Sequence, residues 1–424
     1  MLLFHLSDLH LGKTFHGYEL LEDQAFMLDA IVSKIEDMRP SVLLIAGDIY
    51  DRAIPPVSAI ECFDGFLRAA RKASPKLKVI LIPGNHDSAG RLSFGSSLFA
   101  DSGLFVVAKL PSEPVIVRDD SGKAVAIWAL PFLTQTSGVG DAERVENEPK
   151  GVGAGNLQQS LMKRAIDAID SVDGVDAVDS VDGIGSEEEA RPWVGRAGLA
   201  RVLVAHCFTA GAFAGDSELS FVGMAEQVDT ALFEGFDYVA LGHLHSVQSP
   251  APRIWYSGSP MAYSMREVRQ DKGFLAIDVE AGAVPKVDFI PIKPKRGMRK
   301  ISGFFSDLVA NPLPEDDRKD YIEAYVVDEN PVPNAGERLK AIYPYLVGVP
   351  QRAYEIRQNA LGGMGEGHFS AGSMEASPAL DLAHALDRDF CAFYREMMRD
   401  EPPEDMVSLF DSMAKEVFSA TDQA

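Results

Sequence analysis

Apolar positions fall into short continuous runs separated by helically spaced stretches. Residues 2–7, from Leu2 to Ser7, predict a first strand. Residues 22–38 carry helical spacing, with Phe26, Ile31 and Ile35 among the apolar positions, and Pro40 stops them. Ser41 to Ala46 predicts a strand, 57–72 a helix, and Leu77 to Ile82 another strand. Further strands are predicted within Lys123 to Phe132, at Arg201 to His206, at Tyr238 to Leu241, around Ile254 to Tyr256, and from Gly273 to Val279. Strand, helix, strand, helix, strand implies parallel pairing with helical crossovers. In such sheets the loops at the carboxyl ends of the strands carry the site.

Those loops hold the candidate chemistry. The first run ends in Asp8-Leu9-His10-Leu11-Gly12, the second in Gly47-Asp48-Ile49-Tyr50-Asp51-Arg52, and the third in Gly84-Asn85-His86-Asp87. Later runs end at His206 and in Gly242-His243-Leu244-His245. Strand alternation is expected to put Asp8 and His10 on one side. Of nine histidines, five (His10, His86, His206, His243, His245) sit at predicted strand ends, which a surface scatter would not produce. Asp8, His10, Asp48, Asn85, His206, His243 and His245 are candidate metal ligands, too many for one tetrahedral zinc. They suit two ions sharing a bridging carboxylate. Oxygen and nitrogen donors without thiolate fit manganese or iron-like ions, with zinc compatible. Cys207 is expected to face the core. Two ions roughly 3.5–4 Å apart can clamp the attacking and leaving oxygens of a phosphoryl displacement. His86 is expected to project from its turn, away from the ions, as the general acid. Asp51 is its first candidate partner and Asp87 its second. Arg52 could hold a phosphate oxygen or form a surface ion pair.

Composition changes this picture in two ways. A chain of 424 residues predicts two or three domains. The formal charge of −23 disfavours nucleic-acid binding by bulk electrostatics. One basic cluster, Lys293, Lys295, Arg296, Arg299 and Lys300, could still contact a DNA backbone, or be a charged surface linker. No apolar run reaches membrane length, no signal peptide is evident, and three dispersed cysteines suit a reducing cytoplasm. Residues 138–196 predict an acidic, mobile surface insertion with near-repeated Asp and Gly, and 361–379 a flexible linker. After it, apolar positions at helical spacing within 380–424 predict two short amphipathic helices seeking a surface.

The five motifs, in this order and spacing, resemble those of the calcineurin-like metallophosphoesterase superfamily. The resemblance implies an α/β fold of two stacked mixed β-sheets flanked by helices. It implies one ion held by Asp8, His10, Asp48 and His245, and a second by Asp48, Asn85, His206 and His243. Within the superfamily the chain is most similar to the SbcD group of Mre-type nucleases. The stretch from Leu3 to Gly12, the segment Tyr256-Ser257-Gly258-Ser259-Pro260, and Tyr321 to Glu329 carry that similarity. Relatives often place histidine where Asp51 stands. The likeness implies a nuclease domain over 1–292, a small α+β capping domain facing DNA over 293–360, and a helical tail over 380–424 gripping an SbcC-type, SMC-like ATPase. It further implies two Mn²⁺ ions, a homodimer within a heterotetramer, and a nucleoid-associated cytoplasmic protein. The implied activity is 3′–5′ double-strand exonuclease and single-strand endonuclease cleavage in DNA repair, recombination and replication. Arg52, Lys295, Arg296 and Arg299 are then the candidate DNA contacts. Two alternatives stand beside it. One is another metallophosphoesterase, a phosphatase or cyclic-nucleotide phosphodiesterase, although Ala53 stands where the phosphatase motif wants glycine. The other is a non-catalytic DNA-end scaffold, which would have no need of seven ligands.

Overall fold

A computed structural model describes residues 1–134, 157–174, 199–213 and 227–351, with Pro403 and Met406. One compact unit spans Met1–Ile356 and a second Arg357–Ala424. The expected linker (361–379) and tail (380–424) lie outside the described residues, apart from Pro403 and Met406.

The chain begins with β1 (Leu2–Leu6), a small hairpin of β2 (Thr14–Phe15) and β3 (Tyr18–Glu19), and α1 (Leu21–Met38). There follow β4 (Val42–Ala46), α2 (Val57–Ala73), β5 (Lys78–Ile82), the short helices α3 (Ala89–Leu92) and α4 (Ser96–Phe99), and β6 (Leu104–Val106). Next come β7 (Val115–Arg118), β8 (Ala124–Ala129), α5 (Leu157–Gly174), β9 (Leu199–His206) and β10 (Tyr238–Gly242). The strands β11 (Gln248–Ala251), β12 (Ile254–Tyr256), β13 (Gly273–Asp278) and β14 (Lys286–Pro291) complete two sheets. A last group holds β15 (Met298–Gly303), α6 (Phe305–Ala310), β16 (Tyr321–Val326), α7 (Ala335–Lys340) and β17 (Leu346–Gly348).

Two six-stranded sheets form the centre, ordered β14-β13-β1-β4-β5-β6 and β11-β12-β10-β9-β8-β7. The inner strands run parallel, and β13, β14, β7 and β11 add antiparallel edges. Strands covered on both faces read as continuous apolar runs, as β4 (Val-Leu-Leu-Ile-Ala) does with every residue buried. Leu3, Leu44 and Ile80 of one sheet meet Val125, Val202 and Ala240 of the other in the central core. Helices α1 and α2 cover the outer face of the first sheet. Helix α5 covers the second, through Leu161, Met162, Ala165, Ile166 and Ile169. This is the expected pair of stacked mixed sheets flanked by helices.

Two sequence expectations need correction. Residues 157–174 lie within the segment expected to be a mobile acidic insertion, yet they are a packed helix. Asp167 and Asp170 lie on its exposed side, opposite the apolar stripe that they hid. The rest of 138–196 lies outside the described residues. On α1, Ile31 and Ile35 are buried as expected, but Phe26 is exposed and Met27 and Leu28 take its place on the buried face.

Beyond Lys293, β15, β16 and β17 form a separate parallel sheet covered by α6 and α7. Its core includes Phe305, Leu308, Ile322 and Leu339. A second apolar cluster joins this module to the first sheet's loops, where Tyr321 meets Phe15, Leu20, Met261 and Met265. The module therefore has its own core while belonging to the unit Met1–Ile356. No helix among the described residues is long and apolar enough to cross a membrane.

Candidate metal centre

The centre lies where the carboxyl ends of β1, β4, β5, β9 and β10 converge. Backbone bonds tie the loops together: Asp8 N donates to Gly47 O at 3.0 Å and His10 N to Asp48 O at 3.0 Å. The Asp8 carboxylate accepts the His243 N–H at 3.1 Å, and Asp48 Oδ1 accepts the His86 N–H at 2.9 Å. Gln24, fully buried on α1, donates to the His10 carbonyl at 2.7 Å and accepts the Gly12 N–H at 3.0 Å. Both oxygens of Asp87 are taken by the N–H groups of Ile49, Tyr50 and Gly84 at 2.9–3.0 Å. Asp87 thus clamps two loops and does not face His86.

Asp8 and His10 do not converge by strand alternation, because β1 has ended at Leu6. They converge because the loop backbone is left-handed. Asp8, His10, Asp48 and His243 have φ of 53°, 42°, 50° and 102°, and only three other described non-glycine residues have positive φ. Strain of this kind collects where the surrounding structure holds a site in place. Two glycines are required by close approach. A Cβ on Gly84 would overlap the Asp48 carboxylate, and one on Gly242 would overlap the carbonyl oxygen of Ala46.

All seven candidate ligands meet here. Asp8, His10 and His245 offer ligand atoms within 4.8 Å of one another, as do Asp8, Asp48 and His206. Asp48 Oδ2 lies 3.7 Å from His10 Nε2 and 3.5 Å from His206 Nε2, between the two groups. Asn85 Oδ1 lies 3.0 Å from His206 Nε2 and 3.2 Å from His243 Nδ1.

The donor set fits cations. His206 Nδ1 donates to Ala46 O at 2.8 Å, so its Nε2 turns a lone pair toward the oxygen of Asn85. His245 Nδ1 donates to Glu267 at 3.1 Å, so its Nε2 turns a lone pair toward His10 Nε2 at 3.2 Å. Lone pairs aimed at a common point suit a shared positive ion. Burial pushes the Asp8 carboxyl up to about 6, only partly offset by the nearby histidines. Burial pulls His243 down to about 3 and, with His245 and Lys13, holds His10 well below the usual imidazole range. His10 Nδ1 is buried without a hydrogen-bond partner, and Asp51 Oδ1 is 3.7 Å away.

The other sequence candidates fall out differently. His86 does not project away from the centre as expected: one of its nitrogens lies within 4.8 Å of candidate ligand atoms of His10 and Asp48. Its Nδ1 donates to the backbone carbonyl of Asp51 at 2.8 Å. The Asp51 carboxylate is engaged by Lys13 at 2.6 Å, so Asp51 orients His86 through its main chain, where almost any residue could serve. Arg52 is exposed. Most of the basic cluster is paired within the chain. Lys295 and Arg296 meet Glu22, Arg296 also meets Asp23 at 2.7 Å, and Arg299 meets Asp317 and Asp320 at 3.1 and 2.9 Å. Arg296 also lies 4.5 Å over the Tyr345 ring. Lys295, Arg296 and Arg299 therefore join the small module to α1 and to itself. Cys207 is buried in the core as expected, its thiol pushed up to about 12 by burial.

Sequence reasoning missed Lys13, Tyr263 and Glu267, which line the cleft with the ligands. Lys13 directly follows the first motif, so its position was readable. Burial opposes charge on Glu267, but its bonds to His245 and Lys272 bring its carboxyl down to about 2. No local pattern marks Tyr263 or Glu267.

The chain is similar to known proteins over most of its length. It is 28% identical over 371 residues to the SbcD subunit of the SbcCD nuclease of Staphylococcus epidermidis, covering 85% of this chain and 87% of that one. Among solved structures it is similar to a dimetal phosphatase from Danio rerio (11% identity, 68% of this chain and 98% of that one, TM-score 0.36). It is also similar to GAP50, the anchor in the inner membrane complex of Plasmodium (12% identity, 83% and 96%, TM-score 0.39). At such values neither structure bears on the site. The calcineurin-like phosphoesterase family matches residues 1–247, more than half of the chain, and a fold of stacked mixed sheets with oxygen and nitrogen donors at the strand ends agrees with that match, so the chain belongs to the calcineurin-like phosphoesterases, a family of metal-dependent hydrolases.

Proposed function

We propose that the chain is the nuclease subunit of an SbcCD-type complex, hydrolysing phosphodiester bonds at DNA double-strand ends and hairpins. The observation that carries this reading is the extent of the likeness to the SbcD nuclease. It covers 85% of the chain, whereas the phosphoesterase match ends at residue 247. A simple phosphatase would leave the β15–β17 module and the tail without a task.

In this reading Asp8, His10, Asp48 and His245 hold one divalent ion, and Asp48, Asn85, His206 and His243 hold the other. The position of Asp48 Oδ2 between His10 and His206 supports its place as the bridge. Mn²⁺ is the proposed ion, from the mixed oxygen and nitrogen donors. Bound there, two ions would polarise the phosphoryl group and supply a nucleophile near neutral pH. The chain's own residues do the rest. Asp51 O orients His86 through Nδ1, so that the other ring nitrogen can give a proton to the leaving oxygen. Arg52 is the proposed contact for a phosphate oxygen, and Lys13, bound to Asp51, lines the cleft as a second cation.

The proposed domains are a nuclease domain over 1–292, a DNA-facing cap over 293–360 and an ATPase-binding tail over 380–424. The partner is an SbcC-type ATPase that regulates cleavage, the setting is DNA repair and recombination in the cytoplasm, and the assembly is a homodimer within a heterotetramer. Bound manganese and hairpin cleavage, measured together on the wild type and Asp48→Ala, test the core of this reading. Two ions and cleavage in the wild type, with both lost in the variant, are expected. A variant that still binds two ions would refute the bridge.

A further inference from the structure

Glu267 sits outside the five motifs, in the loop between β12 and β13, and its side chain is 1% exposed. Its Oε1 accepts from His245 Nδ1 at 3.1 Å and its Oε2 from the Tyr263 N–H at 3.2 Å. Lys272 Nζ lies 2.7 Å from the same Oε2. That ammonium also donates to the carbonyl of His245 at 2.9 Å, to Ser259 Oγ at 2.9 Å and to Gln270 Oε1 at 3.0 Å.

Burying a carboxylate and an ammonium is costly, and such pairs add little stability over apolar residues of similar size. The arrangement does something else. An ionised carboxylate can only accept a hydrogen bond, so His245 Nδ1 must carry the ring proton. Nε2 is then left with its lone pair, facing His10 Nε2 at 3.2 Å. The Lys272 ammonium touches both the carboxylate that holds the His245 ring and the carbonyl of His245 itself. Ring and backbone are thereby fixed from one point, which removes both the ring flip and the other tautomer.

We infer that Glu267, locked by Lys272, is the positioning residue that fixes the tautomer and direction of His245 for its ion. The inference rests on reading His245 as a ligand of the first ion. Hydrogen-bond partners of metal-bound histidines typically govern metal affinity by about 10–100-fold.

The test titrates Mn²⁺ into the metal-free full-length chain, following free Mn²⁺ by electron paramagnetic resonance, for the wild type, E267Q, E267A and H245A. E267Q keeps the size and an acceptor oxygen, so it decides the matter even where E267A does not fold. The expected result is that E267Q weakens the same ion that H245A loses, by about 10–100-fold, and leaves the other unchanged. Imidazole ¹⁵N shifts of the metal-free protein should then show His245 no longer confined to the Nδ1–H form. A purely structural role would lower the melting temperature without separating the two ions. The inference is overturned if E267Q binds both ions as the wild type does, or weakens both equally. If H245A itself binds both ions normally, the ligand reading fails first and the inference falls with it.

Discussion

At the scale of single residues, histidines sharing one cleft are set apart by what holds their other nitrogen. His206 and His86 each donate Nδ1 to a backbone carbonyl, of Ala46 and Asp51, whereas His245 donates to a carboxylate. His86 is the one whose role the geometry leaves most exposed to experiment, because it lies within reach of the ligands. His86→Ala should retain two ions by metal analysis and lose cleavage by about 10²–10⁴-fold. Loss of an ion would make His86 a ligand and not the acid. Gly242→Ala should be poorly tolerated, since its Cβ would meet a backbone oxygen that cannot move aside. A loss of about 3 kcal/mol by denaturant unfolding, at the upper end of overpacking costs, is expected together with lost metal. His5 gives a pH signature away from the ligands. It is fully buried against the Tyr238 hydroxyl at 2.8 Å, and burial pulls it from 6.5 to about 3. Below pH 6.5 the unfolded chain takes a proton that the native one refuses. Stability is therefore complete above pH 6.5 and falls as pH drops toward about 3, by up to about 4 kcal/mol. His5→Gln should flatten unfolding midpoints over that window relative to the wild type, and an identical slope would contradict the assignment.

At the scale of elements, the strands were the most legible part of the sequence. Parallel strands covered on both faces need mainly apolar runs, and β1, β4, β5, β9 and β10 each appear as one, broken only by His5, Lys78 and Arg201. The candidate ligands were legible for the same reason: each lies at or within four residues of the end of such a run. What escaped was whatever depends on distant contacts. Helix α5 looked acidic because Asp167 and Asp170 alternate in sequence with the apolar residues that pack on the second sheet. Glu267 reaches His245 across 22 residues of chain that form no motif. The cluster around Arg296 showed its charge but not its partners, which lie on α1, some 273 residues earlier. Arg296→Ala would leave Asp23, 2% exposed, as a buried charge without its cation. Unfolding should show a loss of about 3–5 kcal/mol, with DNA affinity unchanged. A fall in DNA affinity without a loss of stability would restore the cluster as a DNA contact.

At the scale of the whole molecule, a net charge of −23 sets the terms on which DNA can approach. With Lys295, Arg296, Arg299 and Lys300 paired to carboxylates, the chain would offer the proposed DNA substrate little long-range attraction, so the proposed ions and partner subunits would have to supply it. Two surfaces are proposed for those partners. Removing 380–424 should abolish ATPase binding and leave both ions in place, read by co-purification and metal analysis. The loop after β4, the turn between α3 and α4, and α4 itself expose Ile54, Phe94 and Leu98, at 66%, 85% and 78%. If the proposed homodimer uses this face, Phe94→Glu should lower the mass found by sedimentation equilibrium; a dimer of unchanged mass would remove that face from it. Everything proposed here depends on the two-ion centre acting on DNA phosphodiesters. The most direct measurement compares turnover of a hairpin DNA and of a simple phosphomonoester by one Mn²⁺-loaded preparation. DNA cleavage that EDTA abolishes, with little phosphomonoester hydrolysis, is expected. Rapid phosphomonoester hydrolysis with intact DNA would contradict it.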